Sequence, residues 1–175
     1  LYVRDDETGE YWSITPLPLR QDRKYLIRHG QGYSVYEHSS DGLLQKQTMF
    51  VPLDHPVKLV SASLKNNTDK PRKLSLFYYV EWVLGINRDR DAQFVVTEFD
   101  DKTNCMLAYN RYNEEFGSRT AFVSSNFSIQ SYTSDRKEFV GRNGSLEAPV
   151  SMMAKNLSNQ SGAGFDPCSA IQVKV

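Results

Sequence analysis

Cysteine and histidine are scarce in this chain, and their scarcity removes whole classes of chemistry. Cys105 and Cys168 are the only two cysteines in 175 residues. They lie far apart and form no CxxC, so neither a disulfide framework nor a metal site follows. They are expected as buried or half-buried thiols of a reducing compartment. The three histidines, His29, His38 and His55, have no ligand-spaced neighbours. No Gly-x-Ser-x-Gly elbow accompanies them, so nucleophilic catalysis has no foothold. Excess charge is lacking too: 21 basic residues balance 21 acidic ones, which gives nucleic-acid binding no electrostatic support. No apolar run approaches the roughly 20 residues of a membrane-spanning helix. No signal peptide, internal repeat or long amphipathic helix is legible. The chain begins at Leu1 without a Met and ends in the strand-like Val173-Lys174-Val175. The expectation is one β-sandwich domain over residues 1–175, cut from a larger multidomain protein.

What is present is β pattern. From Lys73 to Gly85 every even position between Leu74 and Leu84 is apolar, which predicts one long strand with a fully apolar face. The other face mixes Lys73, Ser75 and Glu81 with Phe77, Tyr79 and Val83. Around this stretch, strands alternate with turn signals at hairpin spacing, the mark of antiparallel sheet. Thr8-Gly9 predicts a hairpin between Tyr2-Val3 and Tyr11-Trp12. Pro16 and Pro18 make a loop. Gly30-Gln31-Gly32 predicts a bulge or a tight backbone approach. Asp41-Gly42 predicts a hairpin turn between Tyr33–Ser39 and Leu43–Val51. Val57–Leu64, Gln93–Phe99, Cys105–Tyr109 and Arg119–Ser125 read as further strands. Thr133–Phe139 reads as one helical turn; Ser134 is its N-cap candidate, although Lys137 at N3 leaves it without a capping box. Leu157–Gly164 reads as a flexible loop.

The acidic groups Asp5-Asp6-Glu7, Asp100-Asp101 and Glu114-Glu115 lie in polar turns, where carboxylates are common without function. Glu81 differs, because it stands on a strand beside Trp82. A buried carboxylate there needs a cationic partner such as Arg28 or Arg119, and a structural ion pair is the default reading. Ten Tyr, nine Phe and two Trp could stack on sugar faces, but the same rings also fill sandwich cores.

Four motifs occur in order: Arg28-His29-Gly30-x-Gly32-Tyr33, Glu81-Trp82-x-Leu84-Gly85, Arg136-x-x-Phe139-x-Gly141-Arg142 and Gly164-Phe165-Asp166-Pro167-Cys168. Together they cover nearly the whole chain. The set resembles the sandwich domain that precedes the catalytic barrel in the cellobiose phosphorylase family (glycoside hydrolase family 94, formerly glycosyltransferase family 36). Within that family it is most similar to the phosphorylase-like region of cyclic β-1,2-glucan synthases. The resemblance implies an all-β fold, an antiparallel β-sandwich of the galactose mutarotase-like supersandwich type, of which this chain is a fragment. It implies a following (α/α)6 barrel that carries the general acid, outside these residues. It also implies an inverting phosphorolysis that uses inorganic phosphate as co-substrate and no other cofactor. The sandwich would pack on the barrel, support a homodimer and send one loop to a substrate site.

That loop maps to Ile86–Gln93, so Arg88, Arg90 and Gln93 become candidates for contact with an oligosaccharide (a β-glucan) or with the barrel. Arg28, His29 and Gln31 are candidates for a conformationally special loop near substrate. Val95-Val96 stands where cellobiose-type enzymes would carry a Gln-Arg pair, a departure that favours the glucan-synthase-like branch. No catalytic residue and no metal ligand is assigned. The fragment alone is not expected to be an enzyme, whereas its parent would be a phosphorylase or hexosyltransferase. The parent is expected in the cytoplasm or on the cytoplasmic side of the inner membrane. Two other readings stand beside this one. The chain could be a self-standing β-glucan-binding module, or an aldose-1-epimerase-like enzyme. The latter needs a converging acid and base that the three histidines do not supply.

Overall fold

Turn chemistry carries the first part of the chain. Strands β1 (Tyr2–Asp5) and β2 (Tyr11–Ser13) pair antiparallel, with Val3 opposite Trp12. The buried Asp5 carboxylate closes the connecting turn by accepting from the Glu7 and Thr8 amides at 2.9 and 3.0 Å. Gly9 follows at φ 77°, where a side chain would be strained. The Arg72 guanidinium holds the other Asp5 oxygen at 2.6 Å. Burial opposes ionisation of Asp5, but the two amides and Arg72 outweigh it and hold the carboxyl below its usual value.

The computed structural model describes residues 1–175. Its backbone falls into two compact units, Leu1–Leu74 and Ser75–Val175. In the first unit a four-stranded antiparallel meander runs β3 (Tyr25–Gly30), β4 (Tyr33–Ser40), β5 (Leu43–Phe50) and β6 (Leu59–Asn66). Asp41 and Gly42 both have positive φ, 50° and 78°, as a two-residue primed hairpin turn requires. The Gly30-Gln31-Gly32 segment is not a bulge. It is the apex of the β3–β4 hairpin, with Gly30 paired to Tyr33. The expected tight approach is real at Gly30, where a Cβ would meet the Tyr33 ring at 2.2 Å. Beneath this sheet the Trp12 indole donates to Gln45 Oε1 at 2.7 Å, and Gln45 Nε2 donates to Ser40 Oγ at 2.8 Å.

The second unit is a sandwich of two antiparallel layers. One layer orders β11 (Ser131–Asp135), β12 (Pro167–Lys174) and β7 (Leu74–Glu81). The other orders β10 (Ala121–Ser124), β9 (Cys105–Tyr109) and β8 (Val96–Asp100). Trp82, Val95, Met106, Ala108, Val123 and Ile171 form the core between them, flanked by Tyr78 and Val80 of β7. The apolar face of β7 therefore lies where its alternation puts it. Its mixed face is covered as well: Phe77 is buried, and Tyr79 stacks on Phe139 with ring centroids 4.8 Å apart. Phe139 comes from a single helical turn, α2 (Arg136–Phe139).

Three sequence expectations need correction here. The β7 ladder stops at Glu81 rather than running on to Gly85. Trp82 N–H donates to the Pro167 carbonyl at 3.1 Å. Proline has no N–H to return, so the pairing ends, and Leu84 then adopts φ 40°. Ser134 does not cap α2, because it is buried in β11. The Asp135 side chain takes that role by accepting from Lys137 N. The loop before β12 is pinned rather than loose. Asn159 N–H donates to the Tyr132 carbonyl at 2.8 Å, and Gly162 N–H donates to Thr97 Oγ1 at 3.1 Å. No helix is long and apolar enough to cross a membrane.

Candidate functional site

Where β7 ends, charged side chains from three of the sequence motifs, Glu81, Arg136 and Asp166, meet a fourth, Arg88. Glu81 closes the strand, and its Oε1 accepts from the Tyr79 hydroxyl at 2.7 Å and from Arg136 Nε at 3.2 Å. Its Oε2 accepts from Arg88 Nε at 3.0 Å. Arg88 Nη2 reaches on to Asp166 Oδ1 at 2.6 Å, and Arg136 Nη1 lies 4.0 Å from Asp166 Oδ2. Two cations and two carboxylates alternate in a closed ring, with side chains 21–33% exposed. A network of this kind fixes geometry more than it adds stability, because desolvation offsets much of the attraction.

The local fold explains why the ring closes. After Leu84 the chain bends at Gly85, where a Cβ would meet the Asp91 carboxylate at 2.2 Å. Asp91 Oδ2 accepts from the Ile86 and Asn87 amides at 2.8 and 2.9 Å. Asn87 in turn caps the short helix α1 (Arg88–Asp91), accepting from the Asp89 and Arg90 amides. These bonds aim Arg88 back at Glu81. They leave Arg90 and Gln93 exposed, with Gln93 Nε2 donating to the Arg90 carbonyl at 3.0 Å.

The electrostatics argue against acid–base work by the ring. Burial opposes ionisation of Glu81. The Tyr79 hydroxyl and the Arg88 and Arg136 guanidiniums outweigh it and hold the carboxyl below its usual value. A general acid in a glycoside-cleaving site needs the reverse, a carboxyl held protonated near neutrality. Burial pushes the Tyr79 hydroxyl up, and the Glu81 acceptor adds to that shift. Burial likewise pushes the Cys168 thiol far above its usual value, so it is no nucleophile.

The predicted residues therefore separate into three situations. Arg88 is consumed by the ring. Arg90 and Gln93 stand exposed on the segment that the ring anchors. Arg28, His29 and Gln31 share one hairpin of the first unit. Arg28 pairs with Glu37 at 2.7 Å, His29 Nδ1 is 2.9 Å from Ser34 Oγ, and Gln31 sits exposed at the apex. The cationic partner expected for Glu81 exists, but it is neither Arg28 nor Arg119. Arg119 stacks on Phe116, 5.0 Å from the ring centroid. The true partners, Arg88 and Arg136, lie seven and 55 residues away along the chain. Arg136 and Asp166 were visible as motif residues, but nothing in the spacing joined them to Glu81.

Comparison with known proteins supplies the family. The profile described as glycosyl hydrolase 94, supersandwich domain, matches residues 1–175. Among curated relatives, a cyclic beta-(1,2)-glucan synthase of Rhizobium meliloti is 34% identical over 100% of this chain and 6% of its own length. An N,N'-diacetylchitobiose phosphorylase of Vibrio furnissii is 26% identical over 98% of this chain and 22% of its own. A solabiose phosphorylase of Paenibacillus borealis is 25% identical over 98% of this chain and 23% of its own. The chain thus spans less than a quarter of the length of these relatives. With all 175 residues inside the profile, the chain belongs to the glycosyl hydrolase 94 family as a supersandwich domain.

Proposed function

We propose that this chain is a non-catalytic, carbohydrate-associated sandwich domain of a glycan phosphorylase or glycosyltransferase of the cyclic β-1,2-glucan synthase type. It packs on an (α/α)6 catalytic barrel of the same protein and helps shape the sugar site there. The observation that carries this reading is the state of Glu81 and Asp166. These carboxylates are ion-paired to Arg88 and Arg136, and Glu81 is held ionised. Such a ring serves as a clamp that sets the Ile86–Gln93 segment, not as an acid–base pair. The names of the relatives, all synthases or phosphorylases of sugars, point the same way.

On this reading inorganic phosphate is the co-substrate of the parent protein, a β-glucan is its sugar, and a homodimer is its assembly. Its place is the cytoplasm or the cytoplasmic side of the inner membrane. Arg90 and Gln93 are the residues best disposed to meet barrel or substrate. The test is phosphorolysis of a β-1,2-linked gluco-oligosaccharide with inorganic phosphate. The 175-residue chain should release no glucose 1-phosphate, while the same chain joined to its barrel should release it. Release by the chain alone would sink the scaffold reading.

A further inference from the structure

The loop that follows β9 holds an aromatic ring in the open. Tyr112 is 78% exposed, and the loop backbone that carries it is hydrogen-bonded on both sides. Asn110, itself only 5% exposed, donates through Nδ2 to the Leu84 carbonyl at 3.0 Å and accepts through Oδ1 from the Tyr112 amide at 3.0 Å. Arg111 Nη1 donates to the Gly117 carbonyl at 2.7 Å, and its guanidinium lies 4.5 Å over the Tyr109 ring. Asn113 Oδ1 accepts from the Phe116 amide at 2.7 Å, which closes the loop. One face of Tyr112 rests on Phe94, with centroids 4.6 Å apart and planes at 26°. The other face is open to solvent.

Exposing a large ring forgoes the burial free energy that most rings take. Here hydrogen bonds fix the loop backbone, and the stack on Phe94 is the ring's own contact. The guanidiniums of this loop stack on other rings, Arg111 on Tyr109 and Arg119 on Phe116. Phe94 is continuous with Gln93, whose Oε1 is a spare acceptor, and Arg90 is exposed one helical turn earlier. A flat ring with an amide and a cation on the adjoining segment matches a pyranose, which offers an apolar C–H face and a rim of hydroxyls.

We propose that Tyr112, backed by Phe94, is a stacking platform for one pyranose unit of a neutral gluco-oligosaccharide, with Gln93 and Arg90 bonding its hydroxyls. The inference rests on the carbohydrate association proposed above and names the surface that provides it. A single open platform binds weakly, at about 1 mM or above.

The test is an NMR titration of the 175-residue chain with a β-1,2-linked gluco-oligosaccharide. Ring resonances of Tyr112 and Phe94 should move saturably. Tyr112→Ala should weaken binding about tenfold, while Tyr112→Phe should stay within about twofold, since the ring face and not the hydroxyl is used. Unperturbed Tyr112 resonances at saturating sugar, or equal affinity in Tyr112→Ala, would overturn the platform. The wild-type shift map decides the matter even if the alanine variant does not fold. Phosphorolysis by the barrel-joined protein reads the scaffold proposal separately. Activity there with no Tyr112 shift here would remove the platform alone.

Discussion

Strands β6 and β12 are each eight residues long, and their sequences, LVSASLKN and PCSAIQVK, look alike in composition. Their fates are opposite. Seven of the eight β12 residues are buried, and no β6 residue is. The difference is placement. β12 lies between β11 and β7 and is paired on both sides, while β6 is paired only to β5 in the first unit. Burial makes each polar side chain of β12 answerable for its hydrogen bonds. Gln172 meets that demand: it accepts from Ser131 Oγ at 2.6 Å and donates to Ser75 Oγ and the Lys155 carbonyl, both at 3.1 Å. Ser169 accepts from the Trp82 indole at 2.8 Å. The serines of β6, Ser61 and Ser63, are exposed and face no such demand. Strand composition therefore sets what a strand can tolerate, and its neighbours set what it must satisfy.

The contrast can be broken most sharply at Trp82. Trp82→Ala removes the core ring and leaves Ser169 without its donor, and should cost about 3–5 kcal/mol in urea-induced unfolding. A folded variant that loses less than about 1 kcal/mol would show that the second unit's core is not organised around this ring.

A middle-sized effect distinguishes the units by pH. Folding holds Glu81 below its ordinary value of 4.5, so its contribution is fully present above that pH. The contribution is lost as pH falls through the folded value. Glu81→Gln should lower stability at neutral pH by about 1–3 kcal/mol and flatten the acid limb below pH 4.5. In the first unit, burial pushes His38 below its ordinary 6.5, although the Ile14 carbonyl opposes the shift. The unfolded chain then binds the proton first, so stability declines as pH falls below 6.5. His38→Gln should remove that slope and leave the Glu81 limb in place. A single acid transition unaffected by either variant would dissolve the distinction.

The smallest effect is expected on β6. Ser61→Ala should change stability by less than about 0.5 kcal/mol, because an exposed serine on a strand paired on one side has no buried partner to lose. A larger loss would mean that β6 is covered in solution.

Much of the fold was legible from turn chemistry and alternation. Asp41-Gly42 named its hairpin, the Cys105–Tyr109 strand kept its bounds, and Ala121 and Val123 face inward against Phe122 as the alternation required. The β7 overrun had a specific cause. Nothing local in Trp82-Val83-Leu84 ends a strand, and the stop is imposed by Pro167, 85 positions further along. The Ser134 cap failed because Ser and Asp both cap helices, and only the strand pairing of Ser134 decided between them. At the candidate site, Glu81 was correctly marked as needing a cation, and Arg88 was marked as a functional residue. That the two belong to each other was invisible. Tyr112 drew no attention, because exposure and stacking on Phe94 leave no periodic trace.

The amino-acid sequence alone determined the alternation, the turns, the neutral charge balance and the ordered motifs that resemble the family. Those features depend on neighbours along the chain, where φ/ψ preferences and strand periodicity act. Tertiary structure decided which charge meets which, where the ladder stops and which ring stays open. Glu81, Arg88, Arg136 and Asp166 acquire their roles only when β7, α1, α2 and the start of β12 converge. Ion pairing and burial depend on distance in space, and that distance exists only once the layers have packed.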